Sequence, residues 1–164
     1  MNYQVIDNFL EKKDHELLYD KLTSLDFYWF INNTITGAGN ENHNSYYWTH
    51  LFYHAHKTNS NYYEPMIENI FLEKLNVKSL IRAKANLYPG SFKLTEHGNH
   101  QDFPYEHIGA IYYINNNDGY TKLEDGTKIE SVANRLLKFD ASKPHTSTDC
   151  TNDKYRININ FNYF

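Results

Sequence analysis

The chain has 164 residues, with 16 Lys or Arg, 20 Asp or Glu, and a net charge of −4 when His is neutral. Such a length suits a single domain over residues 1–164, with a core that needs no disulfide. The acidic balance argues against sequence-blind binding to a phosphate backbone. A content of 40% hydrophobic and 22% charged residues excludes an intrinsically disordered chain. No apolar run approaches the roughly 18 residues of a membrane span, and Met1-Asn2-Tyr3-Gln4-Val5 lacks the basic-then-apolar pattern of a secretory signal. Cys150 is the single cysteine, which rules out an internal disulfide and a multi-thiolate zinc site; a reducing cytoplasm is the expected compartment.

In chain order, residues 11–25 read as a helix with Leu18, Leu22 and Leu25 on one stripe. Segments 27–35 and 46–57 are rich in aromatic and β-branched residues and read as strands, separated by a turn at Thr36-Gly37-Ala38-Gly39-Asn40. Residues 62–75 predict a second helix. Tyr63, Ile67, Phe71 and Leu75 keep a four-residue step, Asn61 is a candidate cap, and Pro65 sits in the first turn. Strand candidates follow at 79–88, 106–114, 119–123, 127–131, 135–140, 145–149 and 155–163. Turns fall at Asn117-Asp118-Gly119 and Asp125-Gly126. Helices followed by many short strands predict a helix layer on a β sandwich or barrel. The last strand alternates Ile157, Ile159, Phe161 and Tyr163 with Arg156, Asn158, Asn160 and Asn162. Its apolar face suits a helix layer; its polar face suits either solvent or a lumen that binds something anionic.

His100-Gln101-Asp102 puts an imidazole and a carboxylate two residues apart, on the same side of an extended chain. With a later histidine, His145, they would complete the two-His, one-carboxylate set that leaves open positions on a non-haem Fe(II). Alone, this pattern arises often by chance. Arg156, eleven residues beyond His145, adds a guanidinium able to clamp a carboxylate through two parallel hydrogen bonds. A metal triad with such a clamp is what holding a 2-oxo acid against iron requires.

At this point the chain resembles the prolyl 4-hydroxylase-like branch of the 2-oxoglutarate- and Fe(II)-dependent dioxygenases. Four segments carry the likeness: Ala85-Asn86-Leu87-Tyr88-Pro89-Gly90, Ala110-Ile111-Tyr112-Tyr113-Ile114-Asn115, Asn134-Arg135-Leu136-Leu137-Lys138-Phe139, and the strand from Arg156 to Phe164. It covers about residues 80–164, the expected catalytic core. The resemblance implies a mainly β fold, a double-stranded β-helix or jelly-roll barrel, backed by about two helices from the N-terminal half. It implies His100, Asp102 and His145 as iron ligands and Arg156 as the partner of the distal carboxylate of 2-oxoglutarate. Tyr113 would donate to that carboxylate, Ile111 would line its methylene chain, and Tyr88 would sit near metal and cosubstrate. The implied cofactors are Fe(II), 2-oxoglutarate and O₂, with ascorbate as a further candidate. The implied reaction is hydroxylation of a C–H bond with release of succinate and CO₂. A prolyl residue of a peptide or protein is the first substrate to consider, with a small metabolite as the alternative and nucleic acid disfavoured by charge. Asp118-Gly119 stands where the family often has Gly-Gly, and Asn162 where those hydroxylases can carry a bulky aromatic.

Each residue has a plainer reading. His100 and Asp102 fit a polar loop, His145 an exposed position after Pro144, and Arg156 a surface cation paired with Asp153. Tyr113 and Tyr88 fit simple packing. His50, His54 and His56 share a strand face with Phe52 and form a competing metal cluster or an entrance lining with Tyr47. His97 rivals His100, although its i+2 neighbour is Asn99. Lys74, Lys78 and Arg82 are expected on a solvated surface. A non-catalytic jelly-roll module that binds a metal or ligand is the alternative to an enzyme.

Overall fold

The computed structural model describes residues 3–33 and 46–164. The elements are β1 (Tyr3–Ile6), α1 (Lys12–Leu22), β2 (Phe30–Asn32), β3 (Tyr47–His54) and β4 (Lys57–Thr58). A second helix, α2, winds as a wide π-helix over Tyr63–Leu72 and closes with an α-helical turn at Glu73–Leu75. Then come β5 (Leu80–Pro89), β6 (Ile108–Tyr113), β7 (Tyr120–Leu123), β8 (Lys128–Glu130), β9 (Arg135–Asp140), β10 (His145–Ser147) and β11 (Tyr155–Tyr163).

The strands form two antiparallel sheets. The larger has the order β1-β9-β6-β11-β5-β3-β2 with β4 on β3, and the smaller has the order β10-β7-β8. Strand β11 lies in the middle of the larger sheet, paired with β5 and β6. Its alternation divides the molecule. Ile157, Ile159 and Phe161 enter a core with Leu18 and Leu22 of α1 and Met66, Ile67 and Phe71 of α2. Phe71 is fully buried, with ring centroids 5.1 Å from Tyr112 and 4.8 Å from Phe161. Burying one such side chain stabilises the fold by about 1.5–3 kcal/mol. On the other face, Ile111, Tyr113, Leu137 and Phe139 meet Leu123 and Ile129 of the smaller sheet. The space between the sheets is a cup, and the polar row of β11 faces it. This is the jelly-roll architecture with two backing helices that the motifs predict.

Several local expectations need correction. Helix α1 ends at Leu22, and Leu25 is fully exposed rather than part of the stripe. The stop follows from local satisfaction of terminal carbonyls: Thr23 bonds Tyr19 O through its N–H and its hydroxyl, and Trp29 Nε1 donates to Leu22 O. At α2, Tyr62 rather than Asn61 occupies the cap position, without a side-chain cap bond. Segment 46–57 is a hairpin rather than one strand, because Ala55 and His56 adopt left-handed φ values of 51° and 61° between β3 and β4. Within segment 27–35, residues 27–29 precede β2, and residues 34 and 35, like the turn at Thr36–Asn40, lie outside the described residues. Strand β1 is an addition to the expected strands: it is four residues long and largely exposed, and it pairs along the β9 edge with Val5 opposite Leu137. Among the described residues, no helix is long and apolar enough to cross a membrane.

A register shift in β3 overturns the shared face of His50, His54 and His56. Leu51 pairs with Lys84 and Tyr53 with Ala83, so Phe52 is an extra residue in the ladder. His50 therefore packs on the helix side against Phe27 and Phe52, bonded to Tyr28 O and Ser60 Oγ. His54 emerges opposite Arg82 and stacks on Phe103, while His56 is exposed in the turn.

Candidate functional site

His100 and His145 are locked together by backbone. Each donates its N–H to the other's carbonyl, at 3.0 and 2.9 Å, and their ring centroids lie 4.5 Å apart. His145 Nδ1 faces Lys143 O at 3.0 Å and His100 Nδ1 faces Gly98 O at 3.3 Å. A ring N–H directed to a carbonyl fixes the tautomer and leaves Nε2 as a lone-pair donor. Asp102 is anchored by its N–H to Ala141 O at 3.1 Å. One ligand-type atom from each of His100, Asp102 and His145 lies within 4.8 Å of the other two, an arrangement that could hold a metal ion. His97 is outside this cluster and packs at a tilt against the Tyr88 ring. Neither His50 nor His54 joins a metal-type group among the described residues.

Asp102 has protein partners on both oxygens. Arg82 donates to Oδ1 at 2.7 Å, and Asn162 and Asn160 donate to Oδ2 at 2.9 and 3.4 Å. Burial would raise the Asp102 carboxyl, but Arg82, His145, the Asn162 bond and His100 outweigh it and hold the group well below the usual carboxylate range. Ionised Asp102 keeps spare lone pairs for a further contact. Arg82 is thus a lumen residue, not the surface cation expected. Asn162 also contacts His107 Nε2 at 3.0 Å, and His107 Nδ1 faces Tyr105 O at 2.8 Å, a chain of contacts that braces the carboxylate.

Arg156 is fully buried at the far end of the cup. Its guanidinium donates to Ser131 Oγ at 2.6 Å, Ser147 Oγ at 2.7 Å, and more weakly to Thr148 O and Thr121 Oγ1 at 3.3 Å. Among the described residues no carboxylate lies within ion-pair distance of it, and Asp153 is bonded instead to Asn115. Buried charge without a counter-charge is costly, and four neutral acceptors offset it only in part. The rings of Tyr88 and Tyr113 flank the guanidinium at 5.6 Å. Tyr113 is fully buried and donates to Thr121 Oγ1 at 2.9 Å. Tyr88 stacks on Tyr47, and Ile111 lies in the apolar wall. Gly119 makes room for this arrangement: a Cβ there would come within 2.6 Å of Arg156 Cδ and 2.5 Å of Asp149 O.

The cleft beside the triad is lined by Tyr47, Lys84, Asn86, Tyr88, His97 and Asn160 together with Arg82, His100, Gln101, Asp102 and Ser147. Burial, then the nearby Arg82, push the Lys84 amine down to about 8. Burial, then Arg156, push the His97 imidazole down to about 4. Burial also lowers His15 and His50. The His97 imidazole is neutral in the fold near pH 7 and takes up a proton more readily when unfolded, so its contribution is complete above the ordinary value of 6.5 and is lost as pH falls toward about 4. His15 and His50 are shifted in the same direction and contribute with the same sign. Thermal unfolding of the metal-free protein between pH 7 and 5 is expected to show a steadily falling melting temperature, with a shallower fall in His97→Gln. A flat profile in the wild type would contradict this electrostatic account.

No sequence-family model and no curated protein matches the chain. Solved structures do resemble it. A prolyl hydroxylase from Trichoplax adhaerens, in complex with a hypoxia inducible factor oxygen degradation domain peptide fragment, superposes with a TM-score of 0.66 at 14% identity, covering 99% of this chain and 83% of that one. An oxidoreductase of the 2OG-Fe(II) oxygenase family from Burkholderia pseudomallei gives 0.68 at 9% identity, covering 99% and 84%. HygX from Streptomyces hygroscopicus, with nickel and 2-oxoglutarate bound, gives 0.64 at 10% identity, covering 99% and 82%. The chain has the fold of the 2-oxoglutarate/Fe(II) oxygenases, in the prolyl 4-hydroxylase-like form its motifs resemble.

Proposed function

We propose that residues 1–164 form one 2-oxoglutarate- and Fe(II)-dependent dioxygenase domain. His100, Asp102 and His145 hold the metal, and Arg156 anchors the distal carboxylate of 2-oxoglutarate. The observation that carries this reading is the fully buried Arg156 guanidinium, which has no carboxylate partner among the described residues and donates to Ser147, a residue that lines the cleft beside His100 and Asp102 of the two-His, one-carboxylate cluster. The donor set suits the metal, since two imidazoles and a carboxylate with open positions are the ligands of non-haem Fe(II) oxygenases. When bound, iron and cosubstrate supply the oxidising chemistry, with succinate, CO₂ and a hydroxylated product as the outcome.

The chain's own residues bind, orient and exclude water. The carbonyls of Gly98 and Lys143 fix the imidazole tautomers. Arg82 and Asn162 keep Asp102 ionised and aimed. Tyr113 and Thr121 stand beside Arg156 as hydroxyl partners for a bound carboxylate, and Ile111, Leu137 and Leu123 supply a dry wall along its chain. Low local polarity strengthens a charge-assisted pair there. Tyr88, stacked on Tyr47 and packed at a tilt against His97, bounds the opening toward the triad.

A jelly-roll module that only stores a metal has no use for a carboxylate anchor, which weighs against the non-catalytic alternative. For the prime substrate, the peptide-bound Trichoplax structure supports a prolyl peptide as one class. Adding Fe(II) and 2-oxoglutarate without oxygen is expected to give a weak visible charge-transfer band, absent in His100→Ala. A wild-type protein that binds neither component, or a band that survives in His100→Ala, would overturn the assignment.

A further inference from the structure

Lys84 has no role in the site as described above. It lies on the cup face of β5 with Arg82, Asn86 and Tyr88, and lines the cleft next to His100 and Asp102. Its neighbours on that face make polar or ring contacts: Arg82 with Asp102, Asn86 through its Nδ2 with Asn158, Tyr88 with the Tyr47 ring. Lys84 makes no hydrogen bond or ion pair among the described residues, and its Nζ stands 5.6 Å from the centroid of the Tyr47 ring. Asp102 is the only acid among the described residues that line this cleft, and Arg82 already neutralises it. On the proposed dioxygenase reading, Arg156 and a divalent metal would together offset a bound 2-oxoglutarate dianion, and one positive charge of that metal and the Lys84 ammonium would remain unbalanced.

The same cleft contains acceptors in need of donors, the buried Oδ1 atoms of Asn86 and Asn160, of which Asn160 is paired with Lys84 across the β5–β11 ladder. Asn160 Oδ1 is buried and without a partner among the described residues, although its Nδ2 donates to Asp102. A buried carbonyl oxygen without a donor is unfavourable, so the cleft is polarised: a cation that lacks an anion and an acceptor that lacks an N–H or O–H.

We infer that the prime substrate is a small carboxylate with a neighbouring N–H or O–H donor, such as a free amino acid or a 2-hydroxy acid, whose carboxylate is bound by Lys84 and whose donor faces Asn160. This rests on the proposed dioxygenase reading and adds a second anion subsite to it, separate from Arg156. A neutral peptide segment would leave Lys84 uncompensated in the closed cup.

The test uses the full chain loaded with Ni(II), to prevent turnover, and saturating 2-oxoglutarate. A panel of free L-amino acids and 2-hydroxy acids is compared with the matching primary amides by ligand-observed NMR. At least one carboxylate is expected to bind at least tenfold more tightly than its amide. Lys84→Met is expected to erase that difference while leaving the affinity for 2-oxoglutarate, measured without the panel, within about twofold of wild type. Equal binding of acid and amide, binding only by uncharged prolyl peptides, or no binding by any carboxylate would overturn the inference. So would a large loss of 2-oxoglutarate affinity in Lys84→Met, which would assign Lys84 to the cosubstrate. Failure of the wild type to bind 2-oxoglutarate at all would instead sink the dioxygenase reading, so the two failures are distinguishable.

Discussion

Arg156→Met is expected to weaken 2-oxoglutarate binding by about 2–3 kcal/mol or more, roughly 30- to 150-fold, without lowering the stability of the ligand-free protein. The two halves of this expectation have one cause. In the absence of ligand the guanidinium is fully buried against neutral oxygens of Ser131, Ser147, Thr121 and Thr148. Its desolvation is incompletely offset, and an apolar side chain of similar length removes that penalty while leaving hydroxyls that can rotate to other acceptors. When a carboxylate is present, the same group supplies the strongest bond in the pocket, and its loss leaves an anion facing apolar walls. Arg156→Lys is expected to fall between wild type and Met, because an ammonium keeps the charge but not the planar pair of donors. Isothermal titration with 2-oxoglutarate and thermal melts of the ligand-free variants measure both halves. Unchanged affinity in Arg156→Met would remove the anchor from the mechanism. A large stability loss with little change in affinity would make Arg156 a structural residue.

Much of this cup is legible in the sequence because period-two alternation fixes faces without knowledge of partners. The row Arg156, Asn158, Asn160, Asn162 could be assigned to one face of a strand, and it does face the cup. The same rule applied to β5 puts Arg82, Lys84, Asn86 and Tyr88 on one face, so the signal for Arg82 and Lys84 was present. The spacing of Lys74, Lys78 and Arg82 masks it, because a basic run of that kind reads equally well as a solvated surface. Other features depend on information that alternation does not carry. The shift at Phe52 separates His50 from His54, and a single extra residue in a ladder leaves no mark in composition. The brace from His107 through Asn162 to Asp102 joins residues 55 and 60 positions apart, which only the paired strands bring together. Strand β1 escaped notice because an edge strand with an exposed face need not be apolar.

Asp102→Ala is expected to abolish the Fe(II)·2-oxoglutarate band and, unlike His100→Ala, to destabilise the metal-free protein by about 3 kcal/mol. The difference arises from Arg82. Its side chain is only 17% exposed, and it is held by Asp102 at 2.7 Å and Asn162 at 3.1 Å. Removing the carboxylate strands the guanidinium beside the Phe103 ring, 5.1 Å away, with one neutral acceptor. His100→Ala removes an imidazole whose Nδ1 contact to Gly98 O is long, so no charge is left unpaired. The double variant Asp102→Ala/Arg82→Met is expected to recover most of the lost stability, since both members of the pair are gone, yet to remain without the band. That pattern separates the two roles of Asp102, as ion-pair partner and as metal ligand, because a double-mutant cycle isolates the pairwise energy and the spectrum reports the metal. A band that persists in Asp102→Ala would exclude the carboxylate from the metal site. Stability that stays low in the double variant would mean that the Asp102 carboxylate acts on the fold through Asn162 and Asn160 rather than through Arg82.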